Sequence, residues 1–549
     1  MTENNHSCDV LVIGGGLAGL CAAISASDRG ASVILVNKGV TGEAGSSPKS
    51  AGILAASFGH GDLSNRPWPD SAAGHAADTI AVGHDLSDPE LVRHICEQAT
   101  GAVRWLETMG VTFSQAADGG YVQLNAPGNS CPRACSAIGG GGAIITQMMA
   151  QTESRDITIL NQVSAIELIQ DSGRVTGCHL QGAAAGPFTM TCRAVVLAAG
   201  GATGLFPTVS GDPTNMGAGL MLGIGAGAKA GNLEFIEFTL IYRVKGELLR
   251  IAGLAPFMSR GGRLTNGQGD DLLTLHFPDQ PTPQISRAAL LRMVQTEITS
   301  GHGPVYLDCR HFTTAIWDEF TASQGPGILE KIASAGCDCR QDLLEVVPAA
   351  HSVLAGLVID QDGQTTISGL FAAGENATGI HGAGRLSGNG LTSCVVTGRS
   401  AGQSAADFAA RHPAPSGPAT SADFTRSNDL SADRADRLAE LVSRLRALAG
   451  DSLGIVRNDL DLALAYEKFA TLQDAIAALG TDNHPVHEAC QMARLAMMMV
   501  EAARRRTESR GVQFRSDHQG LDQRWTRAQI LGEASSGKDG ALSSPKPQP

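Results

Sequence analysis

Residues 8–19 read Cys8-Asp-Val-Leu-Val-Ile-Gly14-Gly15-Gly16-Leu17-Ala18-Gly19, an apolar run that stops at glycine. Leu20 to Arg29 follow with helical spacing, and Ala31 to Asn37 form a second apolar run, so the pattern predicts a β-α-β unit. Gly14, Gly16 and Gly19 fit the GxGxxG spacing between strand and helix. Glycine is needed there because the chain turns tightly, the backbone must approach a pyrophosphate, and the helix must sit close to the strand. The bland alternative is a tight turn and nothing more. Placement inside a β-α-β unit favours dinucleotide binding, with Leu17 and Ala18 at the helix N-terminus where a phosphate rests.

The acidic residue expected at the end of the second strand is missing. Val36-Asn37-Lys38 stands there instead, so Asn37 would meet a ribose hydroxyl through its amide oxygen without a full charge. This tilts the reading from NAD toward FAD. Two further glycine motifs point the same way. Ala194 to Ala202 form a fully apolar strand running into Ala199-Gly200-Gly201, the texture of a central parallel strand, and Gly369-Leu-Phe-Ala-Ala-Gly374-Glu375 precedes a dense polar cluster.

Composition sets the outer limits. The 549 residues are 43% hydrophobic, enough for two or three domains with cores. Glycine, at 67 residues, is about 12% of the chain against a usual ~7%. A formal charge of −13 argues against a nucleic-acid partner. No window approaches a membrane span, the start MTENNHSCDV lacks a basic leader, and the 12 cysteines form no dense framework, so a cytoplasmic protein with reduced thiols is expected. Cys131 with Cys135 and Cys337 with Cys339 have no CxxC spacing or matching histidines, so no metal site is expected.

Texture changes along the chain. Residues 157–198 read as β-rich, residues 238–350 as an inserted domain of mixed short elements, and glycine-rich α/β character returns at 351–410. Leu438–Leu448, Ile455–Leu479 and His487–Arg506 carry helical periodicity, and residues 532–549 have the composition of a disordered tail.

Several ordered motifs now carry a resemblance: GGGLAG, VVLAAGGATG at 195–204, GNLEF at 231–235, VYLDCRH at 305–311, AAHSVLAGL at 349–357, GLFAAGENATGIHGAGRLSGNGL at 369–391 and ESRG at 508–511. Together they resemble the flavoprotein-subunit family of fumarate reductase, succinate dehydrogenase and L-aspartate oxidase. The resemblance implies an α/β fold: a Rossmann-like FAD-binding domain (1–237 and 351–415) interrupted by an α+β capping domain (238–350), plus a helical C-terminal domain (416–531). It further implies FAD between the first domain and the cap, Glu375 toward the ribose or ribityl chain, and Ser387-Gly-Asn389-Gly390-Leu391 offering N–H groups to the flavin. Gly390 stands where the family usually has serine.

By the same resemblance His351 and Arg385 hold a substrate carboxylate, and Arg287 is the proton-transferring arginine of the cap. In isolation His351 would read as a core histidine and Arg287 as a surface ion pair; the motif context assigns them. The pattern also breaks. Thr239 replaces the histidine of the family's FHPT stretch, and around Arg260 neither the carboxylate nor the arginine of the next motif is in register, which predicts a broken Arg–Glu–Arg proton path. Gly45 occupies the position of the covalent flavin histidine, so FAD is expected to be non-covalent.

The resulting expectation is a soluble FAD-dependent oxidoreductase moving a hydride between flavin N5 and a carbon next to a carboxylate or similarly activated group of a small substrate, with O2 or a redox partner protein as electron acceptor. An L-aspartate oxidase-like enzyme and a flavoprotein component without substrate chemistry are the rival readings.

Overall fold

The computed structural model describes residues 6–58, 70–117, 119–251, 253–279, 285–324, 327–414, 428 and 430–531; the tail expected at 532–549 lies outside them. The N-terminal unit forms as its pattern predicts. Strand His6–Ile13 runs parallel to Val33–Asn37 on one side and to Gly186–Leu197 on the other, and helix Leu17–Ser27 connects the first two. Val10, Leu11 and Val12 are fully buried, which accounts for the uninterrupted apolar run.

Sheet register brings the three glycine motifs together. Ile13 pairs with Leu197, and Leu197 also pairs with Ala372 of the parallel strand Leu370–Ala372. The turns at Gly14, at Ala199–Gly200 and at Gly374 therefore leave the same edge of one sheet, at the carboxyl ends of its strands. Ligands of open α/β sheets bind at that edge.

A second sheet is antiparallel, in the order Glu247–Leu249, Ile236–Val244, Leu344–Val353, Val305–Asp308, Arg263–Thr265. Helices including Arg287–Thr299 and Thr314–Gln324 accompany it. Its core, built from residues such as Tyr242, Phe257, Phe320 and Val346, is separate from the large core that holds the nucleotide fold and the C-terminal helices. Strands Ile236–Val244 and Leu344–Val353 cross from one core to the other: Ile236 and Val353 lie in the first, Tyr242 and Val346 in the second.

Those two strands are not in simple register. Glu237 pairs with Ser352 and Phe238 with Ala350, so His351 is the extra residue of a β-bulge. A bulge re-aims a side chain and bends its strand.

Three helices, Ala432–Ser452, Asp459–Ala477 and His484–Arg505, follow. Periodicity predicts that the middle one starts at Ile455, but Val456 and Arg457 instead pair with Phe514 and Arg515, and the helix begins after Asn458, whose side chain caps the N–H of Asp461. Arg457 is fully buried and donates to the Glu234 carbonyl at 2.6 Å. Beside it Arg506 joins Glu234 (2.7 Å) to Glu508 (2.9 Å), and Arg510 holds Glu508 at 2.6 Å. The N–H of Val512 donates to the Ala383 carbonyl at 2.8 Å, so this network is anchored directly to the loop that carries Arg385. Among the described residues no helix is long and apolar enough to cross a membrane, and no group of three or more His, Cys, Asp or Glu side chains is arranged to hold a metal.

Candidate active site and cofactor cavity

A cavity of about 440 Å³ opens at the shared sheet edge, lined by Gly14, Gly16, Leu17, Ala18, Asn37, Lys38, Ala199, Gly200 and Glu375 among others. Close approach depends on glycine: a Cβ on Gly14, whose φ is +114°, would stand 2.3 Å from the Ala198 carbonyl oxygen. Gly19 belongs to the packing of the turn, since its Cβ would meet the Gly14 carbonyl at 1.8 Å. Helix Leu17–Ser27 has no side-chain cap at Gly16, which leaves its N-terminus directed at the cavity.

These residues fit a dinucleotide. Asn37 differs in detail from its expected role: its Oδ1 accepts from the Gly15 N–H at 3.2 Å, and its buried Nδ2 has no hydrogen-bond partner. The amide thus offers a ligand a donor. The Lys38 ammonium pairs with Glu488 of helix His484–Arg505, which with His484, His487, Gln491 and Arg494 forms part of the cavity wall. Ser47, which accepts the Leu17 N–H at 3.1 Å, and Ser46 also line it; neither lies in a glycine motif, so pattern reading passes over both.

Gly201, Gly374, Arg385, Asn389, Gly390 and Leu391 lie behind or beyond the lining. The side chain of Asn389 is committed to the protein: it holds His75 Nε2 at 2.8 Å and donates to Thr79 Oγ1 at 2.9 Å, while its N–H donates to the Leu386 carbonyl. This corrects the expectation that the whole turn presents N–H groups. Helix Asn389–Arg411 does start here without a side-chain cap, so Gly390 and Leu391 sit in its first turn.

Glu375 links the cavity to a second, charged cluster. Its Oε1 accepts from Val353 N–H (2.9 Å) and Ser352 Oγ (3.0 Å), and burial raises its pKa above the ordinary carboxylate value. The residue before Ser352 is His351. Around it, Glu237 accepts from Arg287 Nη1 at 2.8 Å through one oxygen and from Arg385 Nε and Nη2, at 3.0 and 2.6 Å, through the other. The three sequence-predicted residues Arg287, His351 and Arg385 are therefore gathered around a carboxylate that motif reading passes over.

The carboxylate of the family's relay has no counterpart in register around Arg260; Glu237, on strand Ile236–Val244, lies instead between Arg287 and Arg385 in an Arg–Glu–Arg ion chain. Arg260 itself serves the cap: it donates to the Pro256 carbonyl at 2.8 Å and stacks on Phe320. Arg243 pairs with Glu345 at 2.6 Å. Thr239 is buried on the Glu237 strand, opposite Ala349.

Electrostatics within the cluster are strongly polarised. Burial works against the Glu237 charge, yet Arg385 and Arg287 overcome it and hold the carboxyl at about 2. His351 is driven the other way: burial, with both arginines nearby, lowers it to about 4 against the pull of Glu237, so it is neutral at pH 7. His381 is lowered to about 3 by burial and by Arg385.

A dinucleotide cavity that ends beside paired arginines and neutral imidazoles is the arrangement of a dinucleotide-dependent oxidoreductase. Comparison with known proteins agrees. A family model described as FAD binding domain matches residues 9–391, and one described as fumarate reductase flavoprotein C-term matches residues 443–543. The chain is 30% identical to a fumarate reductase (CoM/CoB) subunit of Methanothermobacter marburgensis, over 97% of this chain and 98% of that one. It is 33% identical to L-aspartate oxidase of Mesorhizobium japonicum, over 93% and 92%. Among solved structures, Mycobacterium smegmatis Sdh1 in complex with UQ1 superposes with a TM-score of 0.85 at 27% identity, covering 99% of this chain and 95% of that one. The chain belongs to the flavoprotein family of fumarate reductase, succinate dehydrogenase and L-aspartate oxidase, and it is a FAD-dependent oxidoreductase.

Proposed function

We propose that the enzyme oxidises or reduces a small carboxylate at the carbon next to the carboxylate, with Arg385, His351 and Arg287 as the substrate-handling residues. The observation that carries this is the convergence of the three around Glu237, which pairs across the sheet with the Ser352 that holds Glu375 at the cavity wall. Bound FAD supplies the two-electron chemistry, accepting or delivering hydride at N5. Arg385 spends Nε and Nη2 on Glu237, and its Nη1 remains as a fixed cationic donor for a carboxylate oxygen. His351, uncharged at neutral pH, hydrogen-bonds the substrate without adding charge.

Arg287 moves the proton. An arginine beside an ionised carboxylate gives its proton only to a strongly basic centre, and a carbon developing negative charge next to a carboxylate is such a centre. Glu237 then favours rapid recovery of the arginine's charge.

Gly45 supports non-covalent attachment, because no side chain stands where the family's linking histidine would be. Twelve free thiols support a reducing, cytoplasmic setting, and the acceptor we propose is O2 or a redox partner protein. The test is anaerobic mixing of the yellow holoenzyme with a panel of 2-hydroxy, 2-amino and saturated carboxylates. Bleaching of the flavin band by a panel member, lost in Arg385→Ala, is the expected result; no bleaching by any, or bleaching at an unchanged rate in the variant, refutes the assignment. The similarity to L-aspartate oxidase makes L-aspartate the rival substrate, and absence of peroxide with L-aspartate and oxygen dismisses it.

A further inference from the structure

We propose that Glu237 acts as a built-in stand-in for a second substrate carboxylate, so that the enzyme selects monocarboxylates and rejects dicarboxylates. This rests on the carboxylate-handling reading just given and narrows it.

The argument is a count of charge and of hydrogen-bond donors. A dicarboxylate needs two clusters of donors, one for each end, because every carboxylate left without partners in a buried site carries a heavy desolvation penalty. Here two guanidinium groups face the site, and Glu237 already takes one donor from Arg287 and two from Arg385. Arg287, Arg385 and Glu237 together carry one net positive charge, and His351 and His381 add none at neutral pH. One anionic group is balanced by that charge; a second would sit in a net negative field beside the Glu237 carboxylate.

Among the described residues no other arginine or lysine donates to Glu237, and Arg250 donates to the Val209 carbonyl at 3.1 Å. Thr239, two residues along the same strand, is uncharged. Arg243 and Arg260 are engaged elsewhere in the cap, with Glu345 and with Pro256 and Phe320. Gly390 completes the arrangement, for an ideal Cβ there would lie 3.1 Å from Arg385 Nη1, the one nitrogen of that guanidinium not donating to Glu237. The missing side chain leaves that donor open to a single substrate carboxylate. The other end of the substrate then faces Glu237 and Thr239, a pairing that suits a hydroxyl, an amine or an apolar group.

The test uses FAD-loaded full-length enzyme, with propionate and succinate as probes and perturbation of the flavin absorption band as the readout of binding. Wild-type enzyme is expected to bind propionate at least about tenfold more tightly than succinate, since the second carboxylate of succinate is set against the like charge of Glu237. Glu237→Gln is expected to shift that ratio at least about tenfold toward succinate. Succinate binding as tight as propionate to the wild type overturns the proposal without any variant, and so does an unmoved ratio in Glu237→Gln with normal flavin content. Arg385→Ala separates the two levels: lost affinity for both probes supports the site, whereas wild-type affinities would place the carboxylate site elsewhere and refute both readings.

Discussion

His351 Nδ1 lies 2.8 Å from Ser210 Oγ, which tethers the imidazole of the bulge to the loop that follows the second glycine motif. The ring is held neutral by burial and is faced by Arg385, Arg287, Glu237 and Ser210. A histidine whose folded pKa is lowered to about 4 stabilises the fold fully above its ordinary value of 6.5, and that stability falls as pH drops toward 4 because the unfolded chain protonates first. His381 shares the window and extends it to about 3. Urea midpoints at pH 7 and pH 4.5 are expected to differ less in His351→Asn than in wild type, with the remaining slope due to His381 and carboxylates.

Arg385 both faces the substrate and neutralises Glu237. Arg385→Ala is expected to lower kcat/KM by about 100-fold or more and to destabilise the protein by about 3–5 kcal/mol, since an almost fully buried carboxylate loses its stronger partner. Arg385→Lys should recover much of the stability but little of the rate, because an ammonium cannot bond Glu237 and substrate in the same plane. Parallel denaturant melts and flavin reduction rates check both.

Flavin is expected to leave with acid. Precipitation of the holoenzyme should put all yellow colour in the supernatant, with none in the pellet. Gly14→Val is expected to yield protein with little or no bound FAD, because its side chain collides with the Ala198 carbonyl; the ratio of flavin to protein absorbance is the measurement.

The buried Glu234–Arg506–Glu508–Arg510 chain is expected to be essential to the C-terminal region. Glu508→Gln leaves Arg506 and Arg510 with one uncharged partner between them, and a loss of about 3–5 kcal/mol in unfolding free energy is expected. Equilibrium urea unfolding provides the check. Because this chain anchors the Ala383 loop, flavin reduction should slow as well.

Some of this is legible in the sequence and some is not, for identifiable reasons. The β-α-β unit, the three glycine turns and their convergence follow from uninterrupted apolar runs ending in glycine, a local signal. Arg287, His351 and Arg385 emerge through motif order. Glu237 escapes because the GNLEF motif draws attention to Glu234, which the structure puts in the structural ion chain, and because residue type alone cannot say which of two carboxylates three residues apart faces a site. The bulge at His351 is invisible, since a register shift belongs to a pair of strands and leaves no mark within either one. Ser46 and Ser47, like Glu488, reach the cavity through tertiary contacts between distant segments.

The Lys38–Glu488 pair has a consequence for how the enzyme matures. One wall of the nucleotide chamber comes from a helix made late in synthesis, so a nascent chain that has exposed only its first few hundred residues presents an unfinished vessel. Durable capture of the vitamin-derived prosthetic group therefore has to await translation of that helix, and truncations upstream of it should accumulate as colourless polypeptide.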